Sequence, residues 1–67
     1  MQFIYEENLY QNMIISGDNY RYLFKVKRVK VGEFINVTNF KEIYKYQISN
    51  INKKEALLTK IEPLSIS

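Results

Sequence analysis

Apolar positions in this chain fall into short runs that alternate between two periods. Phe3-Ile4-Tyr5 is a β-branched and aromatic run bounded by the acidic pair Glu6-Glu7, and it reads as a first strand. Met13-Ile14-Ile15 reads as a second, with Leu9 and Tyr10 packing beneath the connection. Ser16-Gly17-Asp18 then signals a turn and a helix start, because Ser and Asp side chains accept the orphan N–H groups of a first helical turn. From Tyr20 the period becomes helical. At about 100° per residue, Tyr20, Leu23 and Phe24 fall together, Tyr22 and Val26 widen that apolar arc, and Arg21, Lys25 and Arg28 fall on the opposite side. Lys27 lands inside the apolar arc, which places the end of the helix near Val26 or Lys27.

Beyond the helix the period returns to that of strands. Val29-Lys30-Val31 alternates, Gly32-Glu33 reads as a turn, and Phe34 to Thr38 is a strand with Ile35 and Val37 pointing one way. Asn39 to Glu42 supplies a polar reversal. Ile43 to Ile51 is a longer strand with Tyr44, Tyr46 and Ile48 on one face and Lys45, Gln47 and Ser49 on the other. Asn50 to Lys54 makes a turn, and Ala56 to Ile61 is a final strand that Pro63 ends. Leu64-Ser65-Ile66-Ser67 has nothing left to pair with by pattern and reads as a linker stub. The order predicts a mainly β, α+β fold: a small, partly closed β-barrel of about five strands with one short α-helix plugging an end.

Sixty-seven residues make one small domain, and 46% apolar with 15% aromatic content argues against disorder. The chain has no Cys and no His, which removes disulfides, zinc sites of the usual ligand types and every Ser/His or Cys/His catalytic arrangement, so no metal is expected. The start lacks a basic region followed by an apolar run, and no stretch of about 18 apolar residues occurs; a soluble, cytoplasmic protein with no membrane contact is the expectation. The net charge of +3 is concentrated: five of the ten basic residues lie between Tyr20 and Gly32, and no acid interrupts between Asp18 and Glu33.

Charge placement therefore singles out Arg21, Lys25, Lys27, Arg28 and Lys30 as a surface for RNA phosphates, with Tyr20 or Tyr22 available to stack on an unpaired base. A solvated basic helix face accounts for the same pattern, and the residues alone leave both readings open. Gly32 reads as a turn residue needing φ > 0. Glu6, Glu7, Glu42, Glu55 and Glu62 show no spacing for paired acid and base work and read as solvated charges, so no catalytic residue is expected.

The run from Tyr22 to Glu33 resembles the N-terminal PUA-like domain of the bacterial small-subunit (16S) ribosomal RNA uracil-N3 methyltransferases, the RsmE family. That family's signature has the form His-Leu-x-x-Val-Leu-Arg-x-x-x-Gly-Asp; Leu23, Val26, Arg28 and Gly32 match it identically and without a gap. Tyr22 stands in place of the histidine, Lys27 in place of the second leucine, and Glu33 in place of the aspartate. The resemblance implies an RNA-recognition domain over residues 1–62, with Arg28 as its principal phosphate contact. Residues 63–67 would then lead to a knotted SPOUT methyltransferase domain that binds S-adenosylmethionine and performs the transfer. With Gly17 and Gly32 as its only glycines, this chain has no glycine-rich cofactor loop and is expected to bind no cofactor and be inert alone. The parent protein is expected to act on small-subunit ribosomal RNA as a homodimer through the knotted domain, this piece being monomeric. The rival expectation is a protein-interaction or purely structural small-barrel module without RNA affinity of its own.

Overall fold

The computed structural model of the chain describes residues 3–64. Five strands form one sheet: β1 (Phe3–Tyr5), β2 (Asn12–Ser16), β3 (Phe34–Thr38), β4 (Ile43–Ile51) and β5 (Glu55–Pro63). Their spatial order is β1-β3-β4-β5-β2, with β1 parallel to β3 and every other pair antiparallel. Between β2 and β3 lies a single helical stretch that is α-helical over Gly17–Arg21 (α1) and π-helical over Tyr22–Val26. The sheet curls into a half-barrel, as its alternating strands lead one to expect.

Two bulges produce the curl. The β4–β5 register slips between Lys45 and Tyr46, where Ile61 is the unpaired residue, and between Ile48 and Asn50, where Ser49 is. An extra residue on one strand bends it and increases its twist. The second bulge also restores the packing pattern: Tyr46 and Ile48 point inward at even numbers, yet Ile51 also packs on the core and pairs with buried Ala56. Strict alternation would turn Ile51 to solvent; the bulge at Ser49 turns it back.

The core inside the curl contains Ile4, Met13, Ile15, Tyr20, Leu23, Val37, Tyr46, Ile48, Ala56 and Leu58. No buried polar side-chain atom among the described residues lacks a hydrogen-bond partner. Tyr46, on the central strand and 0% exposed, donates its hydroxyl to the Tyr10 carbonyl at 2.5 Å and so pins the connection from β1 to β2. Leu9 packs against the core as expected, whereas Tyr10 faces solvent and contributes its backbone instead.

The open side, between edge strands β1 and β2, is bridged by α1. The Asn19 amide donates to the Tyr5 carbonyl and to Glu6 Oε2, both at 2.7 Å, and the Tyr20 hydroxyl donates to the Asn52 carbonyl. Glu6, expected as a solvated charge, is therefore an acceptor in this bridge. The last strand also departs from the sequence pattern. It runs to Pro63, which pairs with Tyr44, and the Leu64 amide donates to the Ile43 carbonyl at 2.8 Å. Pro63 can stand there because its nitrogen faces away from β4: the Leu64–Ile43 bond makes Tyr44 and Pro63 a non-hydrogen-bonded pair, and on the other side β2 pairs with β5 only as far as Thr59. Of the expected stub, residues 65–67 lie outside the described residues.

Burial raises the Tyr46 phenol to about 12, with the neighbouring Tyr44 a smaller cause. An unfolded tyrosine ionises near 10. Tyr46 thus contributes stability that is intact below about pH 10 and is lost as pH rises from about 10 to 12, up to about 2–3 kcal/mol. Urea unfolding at pH 8 and pH 11.5 should show this loss in the native chain. In Tyr46→Phe the alkaline loss should shrink by that amount, on top of a pH-independent loss of about 1 kcal/mol for the missing hydrogen bond.

Candidate nucleic-acid interface

The segment from Gly17 to Glu33 has to cover the open side of the half-barrel, and its backbone departs from an α-helix to do so. Tyr20 and Leu23 are buried and Phe24 packs against the core, its ring tilted on Tyr20 with centroids 4.9 Å apart. At Tyr22 the hydrogen bonding widens from i→i−4 to i→i−5, and the Lys27 amide donates to the Tyr22 carbonyl at 3.0 Å. One extra residue per ring makes the phase lag, so Lys27, which an α-helix would turn into the apolar arc, is carried to solvent. Val26 is carried out with it and is 65% exposed, so it does not widen the apolar face.

The helix then ends on Arg28, at φ +57. The Val29 amide reaches back to the Leu23 carbonyl at 2.9 Å, a closure one residue wider than the usual Schellman bond, and Val29 packs on the core. The position between helix and return is ordinarily glycine, because a Cβ in the left-handed region costs about 1–2 kcal/mol. Here it is an arginine with its side chain exposed.

Gly32 sets the next turn. At φ +95 it is the third residue of a turn closed by the Glu33 amide donating to the Lys30 carbonyl at 3.1 Å, the geometry of a type II turn. The Glu33 carboxylate doubles back to accept from the Lys30 amide at 2.6 Å, and the Gly32 amide donates to the Ile48 carbonyl at 2.8 Å. Glu33, in place of the expected aspartate, thus holds the turn shut while Gly32 ties it to β4.

Arg21 ends α1, Lys25 lies in the π-helical segment, Lys27 caps it, Arg28 is the left-handed residue and Lys30 opens the turn. All five side chains are exposed. The one ion pair among the described residues joins Lys45 to Glu62 at 3.3 Å, so none of the five is neutralised by a carboxylate there. Tyr20 is withdrawn from the candidate stacking residues: it is 8% exposed and its hydroxyl is bonded to the Asn52 carbonyl. Tyr22 remains, at the edge of solvent.

Beside Tyr22 opens a groove of about 430 Å³ between β1, the π-helical segment and β3, lined by Phe3, Ile4, Tyr22, Leu23, Phe34, Ile35 and Asn36. A second exposed aromatic pair, Tyr5 stacked on Phe40 with centroids 4.8 Å apart, sits at the β3–β4 turn. That turn is built without glycine: Asn39 Oδ1 accepts from the Lys41 and Glu42 amides, and Thr38 Oγ1 accepts from the Phe40 amide.

With this geometry in view, comparison with known proteins is decisive on one point. The sequence pattern of the RNA methyltransferase PUA domain family matches residues 15–61, well over half of the chain. The chain belongs to this family. No curated protein sequence matches it. Among solved structures, this PUA domain is similar to a probable rRNA methyltransferase from Porphyromonas gingivalis (TM-score 0.87, 15% identity, 100% of this chain and 29% of that one). It is also similar to a ribosomal RNA small subunit methyltransferase E from Neisseria gonorrhoeae bound to S-adenosyl methionine (TM-score 0.76, 19% identity, 98% and 28%). A third is described only as a hypothetical protein (TM-score 0.85, 17% identity, 97% and 30%). At these identities the likeness is one of fold, and the PUA domain spans less than a third of the length of each.

Two features of the site were missed in the sequence. Phe3 and Phe34 read as strand residues, and their outward direction was available from the inward set of Ile4, Ile35 and Val37; their meeting with Tyr22 needed the β1–β3 pairing. The left-handed backbone at Arg28 had no sequence signal, since arginine is not a residue that favours it. Arg28→Gly should relieve that strain, offset in part by the greater chain entropy glycine loses, for a net gain of about 0.5–1 kcal/mol. Thermal unfolding should report it as a rise of a few degrees, about 4–8 °C per kcal/mol in a domain this small.

Proposed function

We propose that this PUA domain binds small-subunit ribosomal RNA and presents it to the methyltransferase domain of a longer protein that modifies a uracil at N3. The single observation that carries the RNA-binding part is the segment from Arg21 to Lys30: five exposed cations without an ion-pair partner among the described residues, mounted on a backbone closed at both ends. Membership of the RNA methyltransferase PUA family supports the same reading. In it, Arg28 grips one phosphate through its planar guanidinium while Arg21, Lys25, Lys27 and Lys30 hold neighbouring ones as point or forked charges. Each phosphate neutralised releases counterions, so affinity falls with salt.

The likeness to a methyltransferase bound to S-adenosyl methionine supports that cofactor for the longer protein. The groove beside Tyr22 does not suit it: aromatic rings, aliphatic side chains and one amide line it, with no carboxylate for the methionine ammonium or the ribose hydroxyls. Cofactor and transfer step belong, on this reading, to the second domain, and this one supplies recognition and positioning.

Titration of the ¹⁵N-labelled chain with a small-subunit ribosomal RNA fragment should shift the amides from Arg21 to Lys30 at low salt; an unperturbed segment would overturn the reading. Anisotropy titrations across a salt series should show that Arg28→Ala binds more weakly with a salt slope flatter by about one. Arg28→Gly should weaken binding in the same way although it raises stability, which separates loss of the contact from loss of the fold.

A further inference from the structure

We propose that the groove between β1, the π-helical segment and β3 is a pocket for one unpaired nucleobase of the bound RNA, stacked on Phe34 and bordered by Phe3 and Tyr22. This rests on the RNA-binding reading above and adds a specific contact that phosphates alone do not supply.

The argument starts from what lines the groove. Phe3 pairs with Asn36 across β1 and β3, and Phe34 lies two residues before Asn36, so all three point to the same outer face of the sheet. Tyr22 closes the side toward the helix. Phe34 is 54% exposed and Phe3 41%, a high price in hydration for two rings that the core does not use. Lys45 places its ammonium over the Phe34 ring, 5.4 Å from the centroid, and Phe34 lines the groove as well. A flat, exposed aromatic surface with one amide at its edge is what an unstacked base requires: a π-face to lie on and a group that both donates and accepts along the base edge.

Charge decides the occupant. No acidic side chain lines the groove, while Arg21 and Lys25, neither of them ion-paired among the described residues, flank Tyr22 on the same helical segment. An apolar protein segment would be served by the rings and gain nothing from the cations. A nucleotide uses both, the base in the groove and its phosphates on the segment beside it. The π-helical turn joins the two: the same widening that sends Lys27 to solvent leaves Tyr22 at the edge of the groove.

The test compares hexauridylate with an abasic ribose-phosphate hexamer of the same charge, both titrated into the native chain at low salt. The pocket predicts tighter binding of hexauridylate by on the order of 10-fold, the scale of one base stacked on an aromatic ring. Shifts should appear in the Phe3, Tyr22 and Phe34 ring protons and the Asn36 side-chain amide with hexauridylate alone. Phe34→Leu, which keeps an apolar side chain at an exposed position, should remove most of the difference and leave affinity for the abasic hexamer unchanged. Equal binding of the two hexamers would overturn the pocket while leaving phosphate binding intact. Failure of both to bind would overturn the RNA reading and the pocket with it.

Discussion

Everything distinctive in this domain follows from having one short segment close the open side of a curled sheet. Between β2 and β3 the chain must place Tyr20, Leu23, Phe24 and Val29 on the core, and no α-helix brings all four to one side. Tyr20, Leu23 and Phe24 share an arc at about 100° per residue, but Val29 would point directly away from it. The solution is a helix that widens at Tyr22 and then reverses through a left-handed residue, so that Val29 returns inward on the carbonyl of Leu23. Burial of four apolar side chains, each worth about 1.5–3 kcal/mol when fully removed from water, outweighs the local strain of one left-handed position.

That constraint also explains where the charges lie. A segment that places most of its apolar positions on the core turns the others outward, and between Arg21 and Lys30 all the exposed side chains but Tyr22 and Val26 are cations. The closure at Val29 and the turn fixed by Gly32 and Glu33 bracket Lys27 to Lys30 between two hydrogen-bonded anchors. Arg28 is one of two described non-glycine residues with positive φ, Phe40 in the β3–β4 turn being the other, and strained residues that persist are held by surrounding structure and concentrate at functional sites. Glycine would relieve the backbone at this position, and the exposed guanidinium that arginine supplies instead is the group on which the proposed phosphate contact rests.

Much of this architecture is legible in the sequence because it is written in periodicity. The five strands, the turn at Asn39 to Glu42 and the inward set Ile35, Val37, Tyr46 and Ile48 follow from the strand pattern, and the resemblance to a PUA-like methyltransferase domain rests on Leu23, Val26, Arg28 and Gly32. Illegible features are those where tertiary demand overrides the local period. Lys27 in the apolar arc announced a conflict without saying how it is resolved; ending the helix and widening it both remove the lysine. Ile48 and Ile51, three apart, carried the signal of a bulge that a straight strand cannot accommodate. Tyr20 and Tyr22 are chemically alike two residues apart, and only the helix phase makes one a core residue bonded to Asn52 and the other a surface residue beside the groove. β5 runs on through Pro63 because the proline nitrogen faces the side that β2 no longer covers, which residue type alone does not disclose.

Cations on a small surface give an RNA-binding domain speed and salt-dependent grip, but they cannot distinguish one phosphate chain from another. Discrimination needs a base, and a base held at a fixed distance from the phosphates beside it. Flexible lysines on a mobile loop would supply the first property only. In this domain Tyr22 and the segment that follows it share a backbone tied to β4 through the Gly32 amide, to the core through Val29 and to β1 through Asn19. Preorganisation of this kind lowers the ordering entropy that binding would otherwise have to overcome. On the proposed reading, rigidity of the mount, more than the number of charges on it, is what would let a basic patch on a 67-residue chain present one strand in one register.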